Sequence, residues 1–294
     1  MAFSWFPGHM RQALRRIEAD ARLVDLVLLL LDARAPATSR NATLERTLLG
    51  RRKRLLFVLG KADMADPDVT QAWVRDLRRD GHDALAISGR TGAGRAVLLQ
   101  ALQARRQELR DAARRRGIQH AVLRCMVVGV PNVGKSTLIN KLAGSARAKA
   151  GKRPGVTRGP QWVTIAEGIE LLDTPGVMLP GRLDLESLLS LAVTGAIKEE
   201  VLPLSDLAPA LAALIQARGL SSHAFGARAP PPGGTSGYEW LQALCRARGF
   251  LLPGGALDER RAVLFMLKAL RDGRWGPLSL ERSETDGPGT SRRR

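Results

Sequence analysis

The sequence predicts an α/β domain, with a mostly parallel sheet covered by helices on both faces, followed by a second domain that is all helical. Three observations predict it. Short apolar runs alternate with helical patterns over residues 1–175, the rhythm of βαβ units. A Gly-rich loop, Gly129–Thr137, sits between one apolar run and one helical stretch. Beyond Leu179 the apolar residues recur at helical spacing, with no strand-like run between them.

In chain order, strands are expected at Leu23–Leu31, Arg54–Leu59, Ala84–Ile87, Val122–Val128, Trp162–Ile165 and Glu170–Leu172. Each is a short apolar run bounded by polar or turn residues. Helices are expected between them at Met10–Arg22, Ala42–Leu49, Asp68–Arg79, Ala93–Arg114 and Lys135–Leu142. The second domain should hold helices at Leu185–Ile197, Leu207–Ala217, Tyr238–Arg248 and Glu259–Arg271. Its middle reads GARAPPPGGTSG, Gly226–Gly237, a loop because Pro and Gly both oppose regular elements. The chain end, SETDGPGTSRRR, has the composition of a disordered basic tail. The expected boundaries are therefore 1–180, 181–282 and 283–294.

Composition narrows the partners. The 294 residues carry 46 Lys+Arg against 28 Asp+Glu, a formal charge of +18. That imbalance favours a polyanion, because each neutralised phosphate releases counterions; a genome that writes Arg freely gives the same imbalance, and the two readings are compatible. Basic clusters fall at Arg51–Arg54, Arg114–Arg116, Lys149–Arg153 and Arg292–Arg294. The two cysteines, Cys125 and Cys245, lack metal-ligand spacing, which argues against a disulfide framework or a zinc site. The N-terminus, MAFSWFPGHMRQALRR, lacks the apolar core of a signal peptide, and Leu26–Leu31 is too short to cross a bilayer. A cytoplasmic protein without a membrane partner, monomeric in solution, is expected.

GVPNVGKST, Gly129–Thr137, fits G-x-x-x-x-G-K-[ST] in the right context of strand and helix. Glycines let successive backbone N–H groups turn inward around a phosphate, and the helix N-terminus adds its positive end. Asn132, Val133, Gly134, Lys135, Ser136 and Thr137 are the expected phosphate contacts, with Lys135 on β/γ oxygens and the Ser136 hydroxyl on Mg2+. Downstream, LLDTPGV places Asp173 at a strand end, suited to the Mg2+ water shell, and Gly176 where its amide can sense a γ-phosphate. Thr157 in KRPGVTRGPQW is the candidate switch threonine and second Mg2+ oxygen.

A guanine base needs a carboxylate facing its N1–H and N2–H2 edge. Nothing of that kind follows Asp173, but Gly60-Lys61-Ala62-Asp63 follows one upstream strand and ISGRTGAG follows the next. Lys61, Ala62, Asp63, Ser88 and Gly89 are thus the expected base contacts. The order of motifs is base, base, phosphate loop, switch, switch: a circular permutation, which a sheet tolerates because strand neighbours are preserved.

WFPGHM (Trp5–Met10), DARAPATSRN (Asp32–Asn41), GKAD, GVPNVGKST, PGVTR, DTPG and LAVTGAIKEE (Leu191–Glu200), in this order, resemble the circularly permuted ribosome-assembly GTPases of the YlqF/RbgA type. The resemblance covers nearly the whole chain and weakens after about Gly219. It implies a circularly permuted P-loop GTPase domain and a helical RNA-binding domain. It implies GTP and GDP as ligands, and late maturation of the large ribosomal subunit with rRNA contacted by both domains. It also implies that His9 serves catalysis, where imidazole can position or deprotonate water, and that Asn132 helps hold K+. Trp5, Phe6 and His9 also read as a packed N-terminal staple or an RNA contact, and Asn132 as a loop-turn residue.

Two positions depart from common GTPase patterns. Gly60 stands where the family has Asn or Thr, which predicts weaker guanine binding without loss of specificity. Val177 stands where many GTPases place a water-orienting Gln, which predicts slow hydrolysis by the protein alone and stimulation by the ribosomal subunit. A GTP-binding scaffold with negligible turnover and a nucleotide-dependent small-molecule kinase are the alternatives, separated from an assembly GTPase by stimulated hydrolysis and by phosphoryl transfer to a small acceptor.

Overall fold

A computed structural model of the chain describes residues 3–4, 8–147, 162–174, 176–177 and 182–284. Contacts divide these residues into two compact units. One, the helical unit, joins the two-residue strand β1 (Phe3–Ser4) to Arg182–Leu278; the other, the sheet unit, holds the rest, including residues 279–284.

The sheet unit is built on six strands: β2 (Leu26–Asp32), β3 (Arg54–Gly60), β4 (Asp83–Ala86), β5 (Leu123–Val128), β6 (Trp162–Ala166) and β7 (Ile169–Asp173). Their order is β4-β3-β2-β5-β7-β6, parallel except for β6, which runs antiparallel to β7. Helices α1 (Gly8–Asp20), α2 (Pro36–Ser39), α3 (Ala42–Gly50), α4 (Pro67–Arg79), α5 (Arg95–Arg114) and α6 (Lys135–Arg147) connect them. β2 is buried along its whole length, which is why it reads as an unbroken apolar run. Val27, Leu29 and Leu31 pack with Phe57, Met126, Ile17 of α1, Leu48 of α3 and Leu77 of α4. The alternate residues Leu28, Val58 and Val127 are buried too, as are Leu98 and Leu102 of α5 and Leu142 of α6.

Local chemistry sets the ends. The Asp66 side chain caps α4 from the backbone N–H groups of Asp68 and Val69, and Pro67 occupies its first turn. α5 starts two residues later than the apolar pattern suggests, because Gly94 adopts φ +77° where a Cβ would lie 2.2 Å from the Ala86 carbonyl oxygen.

In the helical unit, β8 (Arg182–Leu183) pairs antiparallel with β1. Helices α7 (Leu185–Thr194), α8 (Leu204–Ala217), α9 (Ser221–Phe225), α10 (Gly237–Arg248) and α11 (Glu259–Arg271) follow. α7 ends three residues before the expected Ile197, at a left-handed Gly195 cap. Leu191, Leu211, Trp240, Leu244 and Met266 form its core, and Arg271 donates from Nε to the Ala192 carbonyl. Cys125 and Cys245 are buried and free. No helix among the described residues is long and apolar enough to cross a membrane.

Of the expected tail from 283, only residues 283–284 are described, and the rest lies outside the described residues. Ser279 and Ser283 are buried against the sheet unit, and Ser283 Oγ donates to the Asp76 carboxylate. Polar composition suggests a tail, but these hydroxyls have partners more than 200 residues away in sequence.

Candidate functional site

The phosphate loop leaves β5 at Gly129, where a Cβ would lie 2.4 Å from the Leu30 carbonyl oxygen, so only glycine lets the loop pass β2. Asn132 (φ +57°) and Gly134 (φ +107°) adopt left-handed backbone and curl it into the N-terminus of α6. Lys135 opens that helix, and its Nζ donates to the carbonyls of Gly129 and Val130, both at 3.1 Å. The ammonium is thereby fixed over the loop. Burial pulls it down to about 8, against the opposing pull of Asp173. Val133 is buried, while Asn132, Ser136 and Thr137 are exposed.

β7 delivers Asp173 beside this loop: Ser136 Oγ lies 3.4 Å from its Oδ2. Thr174 turns inward and donates to the Val127 carbonyl. Gly176 passes so close to the loop that a Cβ would meet Pro131 backbone atoms at 2.8 and 2.9 Å and Lys135 Nζ at 3.2 Å. The Val177 amide donates to the Gly129 carbonyl at 3.1 Å, and its side chain joins the apolar core. The position where a water-orienting Gln is usual is therefore a packing position here.

Two further strand ends close the site. Lys61, in left-handed conformation at φ +56°, reaches Asp32 Oδ2 at 2.9 Å. Asp32 also takes both Nε and Nη2 of Arg34 at 2.9 Å. Asp32 and Arg34 are each 1% exposed. Burial pushes the Asp32 carboxyl up, but Arg34 and Lys61 outweigh it and hold the group below its ordinary value. The Ala62 amide donates to the Ile87 carbonyl at 3.2 Å, joining the loops that follow β3 and β4. Asp63 accepts from Arg90 Nε at 2.7 Å. Burial raises its carboxyl, while hydrogen bonds from Ser88 and Arg90 bring it below the ordinary value. Ser88 is buried and its Oγ accepts from the Thr91 amide.

Lys61 and Asp63 from one loop, Gly89 and Arg90 from the next, and Val133, Gly134 and Thr137 from the phosphate loop line one cavity of about 190 Å³. It lies beyond the C-terminal ends of parallel strands, where such sheets bind ligands. Asp32, Arg34 and Arg90 were not singled out from sequence as site residues. A charged residue closing the run LVLLLLD was the available signal for Asp32. His9 falls in the first turn of α1, with its side chain outside the described residues, and Thr157 lies outside them altogether.

A model of the 50S ribosome-binding GTPase family matches residues 124–215. The chain is 37% identical over 294 residues to Ribosome biogenesis GTPase A of Bacillus cereus, covering 98% of this chain and 96% of that one. The chain belongs to the YlqF/RbgA family of ribosome-biogenesis GTPases. Ribosome biogenesis GTPase A of Thermotoga maritima is 32% identical, with 97% and 96% covered. The crystal structure of GNP-bound YlqF from T. maritima superposes with a TM-score of 0.65 at 28% identity, covering 93% of this chain and 99% of that one. The GDP-bound YlqF structure gives 0.64. Family membership agrees with the strand order, since phosphate loop, base loops and Asp173 meet at one sheet edge although the base loops come first in sequence.

Proposed function

We propose that this YlqF/RbgA-family chain binds GTP in the cavity and loop just described and hydrolyses it to GDP and phosphate. It acts on the precursor of the large ribosomal subunit, binding rRNA and leaving after hydrolysis. The carrying observation is the convergence of an ionised Asp63, the Lys135 ammonium and the Ser136–Asp173 oxygen pair on neighbouring strand ends.

Asp63 accepts from the guanine N1–H and N2–H2 groups, with Lys61, Ala62, Ser88 and Gly89 framing the ring. Asn132 to Thr137 wrap the phosphates, Lys135 neutralises the β/γ oxygens, and the Gly176 amide senses the γ-phosphate. Ser136 and Thr157 would hold Mg2+, with Asp173 on its water shell, and the ion would supply charge neutralisation at the phosphates. The hydroxyl–carboxylate pair fits that hard cation. Asn132, exposed at the loop crest, offers the amide oxygen that K+ takes. His9 is the group we assign to the attacking water. Because Val177 packs in the core, turnover without the ribosome should be slow, and a binding scaffold with little turnover is the second reading that this position favours. A cytoplasmic, monomeric protein without a membrane partner completes the proposal.

The test of the base site is Asp63→Asn. It should weaken GTP at least about tenfold, because the carboxylate acceptor is lost, and should favour xanthosine triphosphate, whose C2 carbonyl accepts from the new amide. Unchanged GTP preference would remove Asp63 from the base site.

A further inference from the structure

After α11 the chain returns to the sheet unit, and residues 279–284 bind both flanks of the loop that carries Lys61 and Asp63. On one flank the Leu280 amide donates to the Arg34 carbonyl at 2.7 Å. The Glu281 carboxylate accepts from the Ala37 amide at 2.6 Å, the Thr38 amide at 3.0 Å and the Thr38 hydroxyl. On the other flank Ser279 Oγ accepts from the Asp66 amide at 3.0 Å, three residues beyond Asp63, and Ser283 Oγ donates to the Asp76 carboxylate of α4.

These contacts continue into the base site. Arg34, held through its carbonyl by Leu280, clamps Asp32 with its guanidinium, and Asp32 holds Lys61. Asp66 caps the helix that follows Asp63. Apolar burial alone would anchor a chain end anywhere on a domain. Hydrogen bonds aimed at backbone groups of Arg34, Ala37, Thr38 and Asp66 fix one geometry at one place.

We infer that residues 279–284 form a strap that positions the guanine-recognition loop, with Ser279 and Glu281 as its positioning residues, so that loosening the strap speeds release of guanine nucleotide. The inference deepens the proposed base site and rests on it.

The experiment uses the full chain, a fluorescent GDP analogue, inorganic tripolyphosphate as competitor, and thermal unfolding. Removing two hydrogen-bonding groups in Ser279→Ala/Glu281→Ala should speed GDP release about tenfold. Tripolyphosphate affinity should stay within about twofold, because the phosphate loop is untouched. Glu281→Gln, which keeps one acceptor oxygen, should fall between, and Arg282→Ala, exposed on the strap, should match the parent. Unchanged GDP release would overturn the strap, as would equal weakening of GDP and tripolyphosphate, the mark of general loosening. If the double variant does not fold, Glu281→Gln decides alone: parental GDP release overturns the inference, faster release supports it. A parent chain that binds ADP as tightly as GDP would instead sink the base-site reading, and the strap with it.

Discussion

Lys135 shows how a residue of the proposed phosphate site sets stability against charge. Its ammonium is held by two loop carbonyls in a buried setting, and burial takes its pKa to about 8, against about 10.4 in an unfolded chain. The folded chain thus binds this proton more weakly than the unfolded one. The cost to stability is greatest below about 8 and fades as pH rises towards about 10. Phosphate binding at the proposed site has the opposite sign, because it needs the charged form. GDP affinity should fall between pH 7 and 9, and a flat profile of dissociation constants would contradict the buried ammonium. Gly176 makes a steric claim of the same kind. Gly176→Ala must move Pro131 backbone or Lys135, and displacing that switch should cut GTP turnover about 100-fold while GDP binding stays near the parent's. Parental turnover would show that this approach is not needed for hydrolysis. Both residues were legible from the motifs, yet the Gly176–Pro131 approach was not, because it depends on how two loops from different strands meet.

Among the elements, the base loop after β3 is where this chain departs from the common pattern. A Cβ at Gly60 would meet Leu30 Cδ1 at 3.0 Å and, in ordinary contact at 3.5 Å, Val133 O and Leu31 O. The first neighbour is the tip of a flexible side chain, and the second is a phosphate-loop acceptor. Gly60→Asn should therefore be tolerated, with its amide bridging the base loop to the phosphate loop. One added hydrogen bond should tighten GDP about fivefold, as titration with a fluorescent nucleotide would register; weaker binding would mean that Leu30 cannot yield. The long elements were legible because their signals are periodic. β2 to β7 each coincide with an apolar run, since a sheet covered on both faces needs apolar residues on both. The one-turn helix α2 and the two-residue strands β1 and β8 have no period to read. The contacts of 279–284 have no signature in sequence, because Ser and Glu do not announce partners 200 or more residues away.

At the scale of the whole molecule, charge and permutation act together. The permutation joins the second base loop to the phosphate loop through α5 and the segment after it, and there Arg114, Arg115 and Arg116 are exposed. Reversing all three to Glu should weaken binding to large ribosomal subunits and lower the salt slope by about 3, near 0.9 per lost phosphate contact. An unchanged slope would make this cluster a solvated face. Net charge favours a polyanion, but which basic side chains would meet it depends on packing that composition does not encode. The most direct test is phosphate release from GTP in K+ buffer, with and without large ribosomal subunits at the maturation stage the protein serves, with ATP as control. An assembly GTPase with Val177 in its core should be slow alone, strongly stimulated by the subunits, and inactive on ATP. Equal turnover of ATP, or GTP turnover indifferent to the subunits, would contradict it.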